Sequence, residues 1–147
     1  MSHEGSLAEQ HIARPSSGAR RRLLLAITIG GALGAPARYA AGLVIPDPAQ
    51  QLPVGTLAVN LSGALALGLL YGYLAARPFH RGYVRAALGI GFIGSYTTFS
   101  TYVVQIMLLS RHERYALAGL YLVLSLALGL TAVWGGVTWG RRLGAYP

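Results

Sequence analysis

The stretch GFIGSYTTFSTYVVQ, residues 91–105, decides how this chain folds. It lies inside a long apolar run, yet seven of its side chains carry hydroxyls: Ser95, Tyr96, Thr97, Thr98, Ser100, Thr101 and Tyr102. Gly89, Gly91 and Gly94 come just before the β-branched pair Thr97 and Thr98, a combination poor for continuous helix. Irregular backbone at membrane depth survives only where it is buried in protein or lines a cavity, and its freed carbonyls suit a hard cation. The stretch therefore predicts a helix that breaks inside a membrane and carries a polar track.

Working outward, the chain of 147 residues is 54% hydrophobic and only 11% charged, far from the composition of a soluble domain. A helix crosses the hydrocarbon core with about 17 to 25 apolar residues. Four stretches qualify: Leu23 to Ile45, Val54 to Ala76, Tyr83 to Leu109 and Tyr115 to Trp139. The expected fold is an all-α membrane protein of four transmembrane helices, the third of them broken. Residues 1–22 form a flexible basic tail, residues 23–142 the transmembrane domain and residues 143–147 a short C-terminal tail. The first apolar stretch continues past Arg38 to full spanning length, which argues against a cleaved export signal. The loops IPDPAQQLP, RPFHRG and SRHER are short, so the helices run up and down. Gly30 with Gly34, and Gly68 with Gly72, are spaced for close helix contact.

Cysteine is absent, which excludes disulfides, thiolate metal sites and cysteine nucleophiles. All twelve basic residues are arginines against four acids, a net charge of +8 that fits anionic lipid, nucleic acid or an anionic permeant. With four spans, membrane lipid is the expected contact of the exposed arginines, and no nucleic-acid partner is expected. Glu4, Glu9, Asp47 and Glu113 all fall in the tail or loops, as do His3, His11, His80 and His112. Proton-coupled transport and cation pathways call for a carboxylate within a span, and metal or hydrolytic chemistry for carboxylates or histidines at a site.

What remains within the spans is rich in hydrogen-bond donors, and donors suit an anion. Thr56 and Asn60 share a helix face, Tyr121 and Ser125 share another, and Phe99 and Tyr102 stand three apart, so these faces can line one path. Ser62 and Ser100 read as hydroxyls bonded back to their own helix. Asn60 has two amide donors that its own helix cannot satisfy, which leaves helix-to-helix glue and ligand contact both open. Arg38 reads as a structural anchor rather than a conducting group.

Three segments, GGALGAPARY (30–39), GTLAVNLSGA (55–64) and GFIGSYTTFSTY (91–102), resemble the signatures of the fluoride channel family, Fluc or CrcB, in order and spacing. The resemblance implies a fluoride-specific channel of the cell membrane that exports fluoride passively, without catalysis. It further implies an antiparallel dimer with two pores and a structural, untransported sodium ion (Na+) on the axis, held by the backbone carbonyls of Gly94 and Thr97. Phe99 and Tyr102 match the paired phenylalanines whose positive ring edges face the anion. Asn60 matches the pore asparagine, and Tyr121 with Ser125 the polar track of the fourth span. Tyr102 stands where the family has its second phenylalanine, Ser95 where a second glycine is frequent, and Gly129 lacks a hydroxyl one turn beyond Ser125.

The alternatives are a small four-helix multidrug or proton-coupled transporter, which needs a carboxylate within a span, and an intramembrane serine hydrolase using Ser62 or Ser95, which needs a histidine there. Arginines set the orientation. The tail, second loop and C-terminus hold nine of them, and the first and third loops only Arg111 and Arg114, which predicts cytoplasmic termini. Such a bias suits pairing with an oppositely oriented homologous subunit, a homodimer being the other arrangement.

Overall fold

The computed structural model describes residues 16–77 and 82–145. The tail through residue 15, most of the RPFHRG loop and the last two residues lie outside the described residues. Four helical spans are long and apolar enough to cross a membrane, and no strand occurs among the described residues. Helix α1 is Ser17–Val44, and α2 is Val54–Ala75. The third span, Gly82–Arg111, has two arms. Arm α3 covers residues 82–96 and is wound as a π-helix over Arg85–Ile93; arm α4 is Ser100–Arg111. Helix α5 is Tyr115–Ala145.

The boundaries differ from the sequence expectation at the termini. Helix α1 begins at Ser17, whose preceding Ser16 side chain accepts the N–H of Ala19 at 3.3 Å, so the residues up to Arg22 are helical rather than tail. Helix α5 likewise runs on to Ala145. Pro36 removes one ladder donor from α1 without ending the helix.

The bundle is assembled from two tight pairs, α1 with α3 and α2 with α5, and small residues decide both. A Cβ on Gly34 would run into the carbonyl of Phe92 on α3, while one on Gly136 of α5 would lie 2.5 Å from the Leu65 carbonyl of α2. Only hydrogen allows these backbones to approach so closely, and where lipid removes the hydrophobic drive between helices such packing supplies much of the attraction. Large apolar side chains such as Leu33, Leu43, Leu130 and Trp134 face outward, as a lipid-facing surface requires.

The third span breaks, but not at its glycines. Gly91 stays helical, and the space where its side chain would stand is taken by α1, the Ile27 carbonyl lying 2.6 Å from the ideal Cβ position. The N–H of Gly94 reaches back to the Gly89 and Gly91 carbonyls, which is the wide winding of a π-turn. The chain leaves the helix at Thr97, which is extended at φ −76° and ψ 161°, and re-enters it at Ser100. Gly91 thus serves close contact with α1, Gly89 faces Tyr71 and Leu70 of α2, and the chain leaves the helix at the β-branched threonines.

Candidate functional site

Breaking a helix inside a membrane strands backbone donors and acceptors where no water can satisfy them. Two side chains from other helices answer for them. Asn60 of α2 pairs with both backbone groups of Thr98, Nδ2 donating to the carbonyl and Oδ1 accepting the N–H, each at 2.9 Å. Arg38 of α1 donates from Nη1 to the Thr97 carbonyl at 2.9 Å. Thr97 bonds its own N–H and hydroxyl back to the Ile93 carbonyl, both at 2.9 Å, and Thr98 Oγ1 accepts the N–H of Thr101 at 3.2 Å, covering the open start of α4. Arg38 thus ties α1 to the break, and Asn60 ties α2 to it.

The same accounting bears on the cation site expected at Gly94 and Thr97. In an unbroken helix the N–H of Thr98 would bond to the Gly94 carbonyl and that of Thr101 to the Thr97 carbonyl. Here those donors go to Asn60 and to Thr98 Oγ1, so both oxygens are released from the helical ladder. Thr97 O accepts one bond, from Arg38, and a carbonyl has two lone pairs. Hard oxygen donors of this kind fit a hard cation such as sodium. No group of three or more histidines, cysteines, aspartates or glutamates forms a metal site among the described residues.

A second polar centre lies toward the first and third loops. Tyr121 of α5 is wholly buried and donates its hydroxyl to Gln105 Oε1 of α4 at 2.9 Å. Gln105 Nε2 donates to Thr56 Oγ1 at 2.9 Å and to Asp47 Oδ2 at 2.8 Å. The Thr56 hydroxyl donates to Asp47 Oδ2 at 2.6 Å, and the N–H groups of Gly55 and Thr56 reach the same carboxylate at 2.6 and 3.0 Å. Tyr102 presses against Tyr121 edge to face, ring centroids 5.1 Å apart, and Phe99 lies 6.0 Å from Tyr102 at a 42° tilt. One turn beyond Tyr121, the hydroxyl of Ser125 is buried without a hydrogen-bond partner.

Of the residues singled out from the sequence, Thr56, Tyr102 and Tyr121 meet in this centre, with Phe99 beside it and Ser125 next along α5. Asn60, Thr97 and Arg38 gather at the break. Two members of the network escaped sequence reading. Gln105 was legible, since it stands three residues after Tyr102 as Tyr102 stands three after Phe99. Asp47 was not, because a loop carboxylate gives no sign of folding back onto the spans. Between the two centres lies a cavity of about 240 Å³ lined by Arg38, Asp47, Thr56, Thr98 and Thr101 among others.

Residues 25–137 match the family described as CrcB-like protein, Camphor Resistance (CrcB). The chain belongs to the CrcB family. This CrcB chain is 44% identical over 122 residues to the Fluoride-specific ion channel FluC 3 of Streptomyces avermitilis, a match covering 83% of the chain and 60% of that relative's length. It is 41% identical over 118 residues to the Fluoride-specific ion channel FluC of Acidobacterium capsulatum, covering 80% of the chain and 94% of the relative. A third relative, Fluoride-specific ion channel FluC 2 of Geobacillus kaustophilus, is 40% identical over 113 residues, with 76% and 88% covered. The matched CrcB segment contains both polar centres and every residue singled out above as a candidate for the site.

Proposed function

We infer that this chain is a fluoride-specific ion channel, a multi-pass membrane protein that lets fluoride leave the cytoplasm down its gradient and so lowers its toxicity. The observation that carries the reading is membership of the CrcB family together with relatives named as fluoride-specific channels across nearly the whole transmembrane region. It is a channel and not an enzyme. The chemistry of the site agrees: the polar residues of α2, α4 and α5 form a line of donors with an unpartnered Ser125 hydroxyl. Fluoride is small and tightly hydrated, so a narrow route has to replace water with such donors while keeping each site weak enough to release the ion.

Finer features belong to the same reading. Fluoride passes Thr56, Asn60, Phe99, Tyr102, Tyr121 and Ser125, with the ring edges of Phe99 and Tyr102 toward it. Phe99, Ser100 and Thr101 are exposed on the single chain although they lie inside a span. Polar groups left facing lipid would be costly, so this face is covered by an antiparallel partner, a homologous subunit or a second copy. A sodium ion held by the carbonyls of Gly94 and Thr97 supplies fixed positive charge at the junction. Anionic lipid meets the arginines at the helix ends.

The experiment is fluoride efflux from liposomes that contain the purified protein and are loaded with potassium fluoride, with valinomycin added to carry the counter-charge. Fast fluoride release with no release from chloride-loaded vesicles is expected. Release no faster than from protein-free vesicles would overturn the reading.

A further inference from the structure

Asp47 belongs to the loop after α1, yet its carboxylate is folded onto the ends of the spans and held by four neutral donors. Two of them, the N–H groups of Gly55 and Thr56, are the open amides at the start of α2, and capping them is an ordinary task for an aspartate. The other two, from Thr56 and Gln105, belong to the donor line itself.

The protons of that line all run toward the carboxylate. A carboxylate only accepts, so the amide nitrogen of Gln105 has to face Asp47, which turns its oxygen to the Tyr121 hydroxyl. One nitrogen then serves both Asp47 and Thr56 Oγ1, while the Thr56 proton goes to Asp47. The Tyr121 hydroxyl, the Gln105 amide and the Thr56 hydroxyl are therefore all engaged within the network. An anion coming past has to displace an acceptor, and the acceptor at the head of the line is itself an anion.

Its position makes this matter. Asp47 lines the inner cavity with Arg38 and Thr98, and it also lines a second cavity toward the loops, with Gln51, Gln105 and His112. The carboxylate is thus shared by the walls of both cavities.

We propose that Asp47 is an internal competitor of the permeating anion: it holds the Thr56 and Gln105 donors at the wall that the two cavities share, and fluoride passes by taking those donors from it. The proposal rests on the channel reading above. It has two consequences that simple capping of α2 lacks. Competition raises the fluoride concentration needed to half-saturate the current. The fixed negative charge also repels an approaching anion, and that repulsion is screened as salt shortens the Debye length, which is about 30 Å at 0.01 M and about 8 Å at 0.15 M.

The test is electrical recording of fluoride current through the purified full-length protein in planar bilayers. Asp47→Asn keeps an oxygen for the α2 amides and removes the charge. A unit charge ~6 Å from the ion in water alters its occupancy about threefold, so Asp47→Asn is expected to lower the half-saturating fluoride concentration by about that factor or more. Raising ionic strength with an impermeant salt at fixed, sub-saturating fluoride should increase the wild-type current, leave Asp47→Asn unchanged, and still increase Asp47→Glu. An Asp47→Asn channel with wild-type half-saturation and wild-type salt dependence would overturn the proposal. So would a wild-type current indifferent to salt, a result that stands even if the variant fails to fold. Absence of any wild-type fluoride current would instead remove the channel reading, and the competitor role with it.

Discussion

The two polar centres of this bundle are made of different material. At the junction of α3 and α4 the groups in need of partners are backbone amides and carbonyls, and Asn60 and Arg38 reach in from other helices to meet them. Around Tyr121 most of the groups are side chains that satisfy one another, Asp47 also taking the N–H groups of Gly55 and Thr56 at the start of α2. The first kind of centre is obligatory once the helix is broken, because a peptide group left bare in hydrocarbon costs several kcal/mol. The second kind is optional. Apolar side chains at Thr56 and Gln105 would need no partners in a membrane bundle, so a polar set at these positions suits what passes it as well as what holds the fold.

That contrast can be broken by substitution, beginning at the junction. Asn60→Leu removes both partners of the Thr98 backbone; a loss of about 2–4 kcal/mol is expected, read as a large drop in thermal stability in detergent and loss of fluoride flux. Arg38→Ala leaves the Thr97 carbonyl with no donor from the protein and should cost about 1–3 kcal/mol by the same measurement. If either variant were as stable as the wild type, the junction would not depend on side-chain partners.

The second centre should respond more weakly in stability and more strongly in flux. Tyr121→Phe deletes one hydrogen bond while keeping the ring against Tyr102, so about 1 kcal/mol of stability is expected to go, with a clear reduction in fluoride efflux from proteoliposomes. Ser125→Ala removes a hydroxyl that has no partner in the protein. Its stability should stay within about 0.5 kcal/mol of wild type or rise, since a buried unsatisfied group is lost, while efflux falls. Unchanged efflux in this variant would take Ser125 off the anion route.

Phe99 sharpens the comparison further, because it joins the two centres and is 77% exposed on the single chain. Phe99→Ile should barely change the stability of the fold yet reduce fluoride current, since an aliphatic side chain has no positive ring edge to offer. Equal currents in Phe99→Ile and the wild type would leave the ring a packing element against the partner subunit.

Much of this was legible in the chain. Four spans, their short connections, the helix break near Thr97 and the donor-rich faces of Thr56, Tyr102, Tyr121 and Ser125 all follow from composition and spacing. These are local properties: a span is declared by the summed transfer energy of some 20 neighbouring residues, and a face by a period of 3.6. The motif order added the family, which the comparison with known proteins upheld.

Other features were decided only when the helices met. Gly91 reads as a breaker and turns out to be a contact, because the helix α1 that occupies its missing side chain is some 60 residues away in the chain. Asn60 had two open roles until Thr98, at a sequence separation of 38, supplied both of its partners. Asp47 reads as a loop acid, and a separation of 58 residues hides its bond to Gln105. The physical reason is the same in each case. Insertion into a membrane is determined residue by residue along the chain, whereas a buried polar group takes whichever partner the packing of distant backbones brings within about 3 Å.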